Sequence, residues 1–180
     1  MRRWVAAAIL TPLLVGCSSR SSEGSLKSRE DLFITIEALD HIQKVLTTAH
    51  RDSVRVFHEK PYSPAGRAAI AAAQRAWRIA AKEGEFPVFS KQALARNRYL
   101  APAQDSVSAA SSAWLRLLRL LAFTSRTHVV PKAGLFERLE RQAERQEAAS
   151  LRSLGRAQSE DARHYCESTQ SDPLCATPSS

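Results

Sequence analysis

The chain has 180 residues, with 26 Lys and Arg against 18 Asp and Glu, a formal net charge of +8 and 44% hydrophobic residues. That length holds one modest domain with a real apolar core but not two comfortable ones. The charge is basic without being extreme, so it names no class of partner until the compartment is known.

The compartment is read from the start of the chain. Arg2 and Arg3 form a positive n-region, Val5 to Leu14 is an apolar run, and Gly16 sets a small residue before Cys17. This is the layout of a cleaved secretory signal. The quartet Leu14, Val15, Gly16 and Cys17 resembles the lipobox of bacterial lipoproteins, a resemblance confined to roughly the first twenty residues. It implies that residues 1–16 are removed and that Cys17 is acylated on its sulfur and then on its freed amine. Ser18, where an aspartate would hold such a protein at the inner membrane, implies delivery to the outer membrane of a Gram-negative envelope, facing the periplasm. By the residues alone, an ordinary signal with an incidental cysteine stays open. A spanning helix does not, because it needs about twenty apolar residues and this run is shorter and holds Pro12. Each buried CH₂ adds about 0.8 kcal/mol, so several acyl chains anchor the protein to the membrane where one would not. Loss of Arg2 and Arg3 lowers the net charge from +8 to +6. At that location the anions encountered are lipid, lipopolysaccharide and peptidoglycan, and no nucleic-acid partner is expected.

Four segments follow: the signal, 1–16; the lipidated cysteine and a flexible tether, 17–28; a helical domain, 29–166; and a tail, 167–180. The tether is serine-rich and has no apolar period, and would hold the domain about 20 Å from the bilayer. From Ser28, with Asp31 as its capping partner, Leu32, Ile36, Leu39, Ile42, Leu46 and Ala49 mark one face of a helix reaching about His58. Pro61 and Pro64 turn the chain. Ser63 caps an alanine-rich second helix, with Ile70, Trp77 and Ile79 as its bulk and Gly84 as its C-cap.

Phe86 to Phe89 form an apolar connector, and Ser90 caps a third helical region that Pro102 interrupts at Leu100 and Ala101. The helix resumes near Ala103 and ends near Phe123 in the run AWLRLLRLLAF, the expected centre of the core. After a loop from Thr124 to Pro131, a last helix spans Lys132 to Tyr165. Its stripe of Leu135, Phe136, Leu139, Ala143, Leu151 and Leu154 is broken at Gln146 and Glu147, and Gly155 would weaken it. With no strand-like alternation, the fold class is all-α: an antiparallel four-helix bundle or an irregular helical relative.

If Cys17 carries lipid, Cys166 and Cys175 remain as an even pair in an oxidising compartment, and a disulfide closing the tail is expected, worth about 2 to 3 kcal/mol. Free thiols and a metal site are the alternatives. The histidines, at 41, 50, 58, 128 and 164, lack the spacing of three or four that a helical metal pair needs. His164, with Glu160 and Asp161 at helical spacing, is a candidate for a divalent metal or acid–base chemistry, or for a surface ion pair. No nucleophile elbow, zincin, P-loop or dinucleotide motif occurs, so no enzyme, cofactor or metal centre is expected.

One electrostatic asymmetry stands out. Between Phe86 and Phe136 Asp105 is the lone acid, against Lys91, Arg96, Arg98, Arg116, Arg119, Arg126 and Lys132. These seven are the candidate contacts for an anionic partner, or else a solvated face offset by Glu37, Asp40, Glu140 and Glu144. The sequence therefore points to a lipid-anchored protein acting by binding an envelope protein, in an accessory, inhibitory or immunity-type role. The alternatives are a basic module for anionic lipid, lipopolysaccharide or peptidoglycan, and a periplasmic hydrolase with an unrecognised site.

Overall fold

The computed structural model describes residues 20–60, 62–85, 89–129 and 131–168, with side chains described from Glu30 to Glu167. It contains five helices: α1 (Arg20–His58), α2 (Pro64–Glu85), α3 (Lys91–Arg96), α4 (Leu100–Thr127) and α5 (Leu135–Ser168). Four long helices pack in a ring in which α1 touches α2 and α5, and α4 touches the same two. Neighbours run antiparallel: Gly84 meets Val107 while Gln74 meets Leu118, and Ser53 meets Trp77 while His41 meets Glu83. The all-α bundle is thus the observed architecture. No described helix is long and apolar enough to cross a membrane.

The apolar face of α1 packs as its spacing predicts, with Leu32, Leu39, Ile42, Leu46, Ala49 and Val56 all buried. The helix begins at Arg20, however, so most of the stretch expected to be a tether is helical. Once a register is established downstream, each added residue gains a hydrogen bond without a new nucleation cost. Asp31 is therefore inside the helix and caps nothing there. Its carboxylate instead accepts from Ser90 Oγ at 3.1 Å and pairs with Arg96 at 3.3 Å. The 39 residues of α1 make it about 58 Å long.

Ser63 caps α2 as expected, its Oγ accepting from the Gly66 amide at 2.9 Å. Alanines at 73, 80, 103 and 110 are buried and let α2 and α4 approach closely. Gly84 is not a cap, since α2 runs on to Glu85. A Cβ there would lie 2.5 Å from Val107 Cγ1, so the glycine serves the close helix crossing. Ile79 was expected to fill the core but is 53% exposed, one position past the face that Trp77 and Ala80 define. Trp77 stacks on Trp114 with ring centroids 5.5 Å apart at the centre of the bundle.

Ser90 caps α3, accepting from the Ala93 amide at 2.9 Å. The break comes at Asn97–Tyr99, ahead of Leu100, because buried Asn97 bridges two elements: Nδ2 donates to the Ala157 carbonyl at 2.8 Å and Oδ1 accepts from the Tyr99 amide at 3.0 Å. Pro102 then falls in the first turn of α4, where a missing N–H costs nothing. That helix outlasts Phe123 and runs to Thr127, capped by His128, whose amide still donates to the Thr124 carbonyl and whose left-handed φ of 57° then turns the chain out of the helix.

The face of α5 is not interrupted at Glu147 and passes Gly155 unbroken. It runs Ala143, Glu147, Ser150, Leu154, Ala157 and Asp161, all buried, with polar groups taking three core positions. Among the described residues the buried apolar side chains run from Leu32 to Ala157. The signal and Cys17 lie outside the described residues, as does Cys175; Cys166 is half-buried in the last turns of α5.

Candidate functional site

Arginine positions on two antiparallel helices converge on one groove. On α2, Arg67, Ile70, Ala71, Gln74 and Arg78 recur at helical spacing, and on α4 Arg119, Ala122, Ser125 and Arg126 do the same. The facing rows enclose an open groove of about 430 Å³. Alanine at 71 and 122 leaves the space, while the long arginines stand at its edges. Gln74 spans the crossing, its Nε2 donating to the Leu118 carbonyl at 3.1 Å. At the mouth, Arg67 Nη1 donates to the Tyr62 carbonyl at 2.6 Å and Arg126 Nε to the Ala122 carbonyl at 3.3 Å. These bonds orient two guanidinium groups and leave further N–H donors on each.

Among the described residues no carboxylate forms an ion pair with Arg67, Arg78, Arg119 or Arg126. Four exposed guanidiniums, none in such an ion pair, stand around one concave wall and add their positive potential there. Their planar forks match phosphate and carboxylate oxygens. A second groove, about 400 Å³ between α1 and α2, is lined by Val45, Ala76 and Ile79 but carries its own carboxylate, Asp52, beside Arg75.

The seven residues of the basic segment do not form one surface. Arg119 and Arg126 line the groove, and Arg116 is exposed on the same helix. Lys132 is exposed in the α4–α5 connection, whereas Lys91 is exposed on α3 at the other end of the bundle. Arg96 is a structural residue, its side chain only 14% exposed between Asp31 and Asp161. Arg98 lies over the Tyr99 ring and donates to its hydroxyl at 2.9 Å, a bond that holds the guanidinium above its ordinary pKa. Arg67, Gln74 and Arg78 lie ahead of the acid-poor segment from Phe86 to Phe136, in a stretch whose charge is balanced by nearby acids such as Glu83 and Glu85. Their spacing on α2 marks a shared face, but only the crossing of α2 and α4 pairs it with Arg119 and Arg126.

Of the two readings open for His164, the structure shows the surface ion pair. His164 lies between Glu160 at 3.5 Å and Glu167 at 3.4 Å, a surface ion-pair cluster also holding Arg163. Asp161 points the opposite way, into the core, so of the two carboxylates at helical spacing Glu160 alone pairs with His164. Burial pushes the Asp161 carboxyl above the usual range, and Asn97, Arg96 and His164 only partly offset this. No cluster of three or more metal-ligating groups occurs among the described residues. His50 is not merely solvated. Its Nδ1 is 2.9 Å from Glu147 Oε1, while Glu147 Oε2 accepts from Trp114 Nε1 at 2.8 Å.

The chain matches no known protein family, no curated protein and no solved structure.

Proposed function

We propose that this is a lipid-anchored envelope protein, held by acylated Cys17 at the periplasmic face of the outer membrane, whose α2–α4 groove binds an anionic partner. The observation that carries the reading is the set of four arginines around one open groove without a carboxylate among them. An exported protein that keeps such a groove open meets phosphate and carboxylate groups on lipid, lipopolysaccharide and peptidoglycan. The groove needs no cofactor for this, and binding rather than catalysis is its chemistry.

The site is tested by following arginine Nε–Hε resonances while inorganic phosphate, glycerol 3-phosphate or a muropeptide is added. Arg67, Arg78, Arg119 and Arg126 should shift together, and Arg119→Gln with Arg126→Gln should abolish the response. Shifts confined to Arg98 and Arg163 would refute the site. The anchor is tested separately: Cys17→Ser should leave the precursor unprocessed, and normal maturation of that variant would remove the lipoprotein reading.

The alternative, binding of an envelope protein in an accessory, inhibitory or immunity-type role, draws on the α1–α2 groove, where Ile79 is 53% exposed. A photocrosslinker at Ile79 that captures one protein in intact cells, while one at Ala71 captures none, would favour it.

A further inference from the structure

The end of the bundle made by the α1–α2 and α4–α5 connections combines exposed apolar side chains with an excess of cations. Phe57 (47% exposed), Tyr62 (43%), Phe123 (47%) and Val129 (54%) all present apolar surface there. Tyr62 stacks on His128 with centroids 4.9 Å apart, which joins the two connections. Arg67 is tied to the Tyr62 carbonyl, and it lines the groove together with Arg126, so the groove opens beside this tip. Across residues 55–67 and 123–138 there are six lysines and arginines against two acids, Glu59 and Glu137.

Exposed aromatic rings flanked by cations suit a headgroup layer, where rings sit at the acyl boundary and cations meet lipid phosphates. A soluble anion would use the arginines but gain nothing from Phe123 or Val129. We infer that this end of the bundle docks on an anionic bilayer, with Phe57, Tyr62, Phe123 and Val129 entering the headgroup layer and the arginine groove taking lipid phosphate. The inference rests on the groove reading above and specifies its ligand. Residue 20 lies at the opposite end of the roughly 58 Å helix α1 from this tip.

Because an acyl anchor would bind vesicles by itself, the protein to use is the chain from residue 17 carrying Cys17→Ser, produced without acyl groups. Its sedimentation with phosphatidylcholine vesicles is compared with that on vesicles containing phosphatidylglycerol as well. Binding should require phosphatidylglycerol and weaken as salt rises from about 0.05 to about 0.5 M. Arg119→Gln and Arg126→Gln should each reduce it about fivefold. Phe123→Ser and Val129→Ser should each reduce it about tenfold. All four sites carry exposed side chains, and circular dichroism of each variant, expected to match the parent, checks that the helices are kept.

Full vesicle binding by Phe123→Ser and Val129→Ser, with loss only in the arginine variants, would overturn insertion and leave the groove reading intact. Full binding by the arginine variants would overturn both. Arginine shifts with glycerol 3-phosphate or a muropeptide, but no sedimentation with any vesicle, would assign the groove to a soluble or cell-wall anion and overturn the bilayer inference.

Discussion

Replacing Glu147 by alanine tests how a carboxylate is tolerated inside this bundle. The side chain is 9% exposed, accepts a hydrogen bond from Trp114 Nε1 at 2.8 Å and has His50 Nδ1 2.9 Å from its other oxygen. Trp114 is 2% exposed, so water cannot take the carboxylate's place at its N–H. An orphaned buried donor costs about 1 to 3 kcal/mol. Loss of the side-chain packing adds about 1 kcal/mol, and relief of carboxylate desolvation returns part of the sum. The net expectation is a loss of about 2 to 3 kcal/mol, a large share of a typical total of about 5 to 15. His50 differs because its side chain is 49% exposed, and water can solvate either partner once the contact is gone. His50→Ala should therefore cost about 1 kcal/mol or less. Glu147→Gln keeps an acceptor for Trp114 and should fall between the two. Urea unfolding of the three variants, followed by tryptophan fluorescence and circular dichroism, gives the ranking. A Glu147→Ala protein as stable as the parent, or less damaged than His50→Ala, would refute the assignment of Glu147 as the obligatory partner of Trp114.

Three further outcomes follow from the same geometry. Gly84→Ala gains about 1 kcal/mol of helix propensity but drives a Cβ to 2.5 Å from Val107, a clash costing about 1 to 3, so it should destabilise; Gly155→Ala, with nothing within 4 Å, should stabilise by about 1. Like signs for the two in one urea series would contradict the close crossing. Asp161 has its folded pKa raised by burial, so the native state holds a proton at pH values where the unfolded chain has released it. Stability from this group must then fall as pH rises, starting near pH 4 and ending above the folded value. Asp161→Asn should remove that decline and leave a constant offset from Arg96, which retains Asp31. Parallel pH–stability curves for parent and variant would show that Asp161 is solvated after all. Non-reducing mass mapping of protein from the cell envelope should join Cys166 to Cys175; alkylation of both thiols without reductant would refute the pairing.

The periodicities of α1, the capped start of α2 and the hydrophobic run of α4 were legible because each is local: apolar side chains recurring every three or four residues have one way to be buried together. Prolines and cap residues located the connections for the same reason. What stayed hidden were the places where one helix imposes on another. Glu147 and Asp161 look like defects in the stripe of α5, yet they are core residues because Trp114, Arg96 and Asn97 reach them from other elements. Gly84 resembles a stop signal and is a packing residue, since only the position of Val107 removes room for a Cβ.

The candidate site divides along the same line. Composition alone established an excess of cations and a long segment with almost no acid, because charge is additive along a chain. Which of those cations face a common ligand is decided by helix phase and by the antiparallel crossing. That crossing brought Arg67 and Arg78 to Arg119 and Arg126, whereas Arg96 on α3 is turned inward toward Asp31 of α1 and Asp161 of α5. A local pattern sets which face of a helix is buried, whereas the partner across the interface sets what that face can bind.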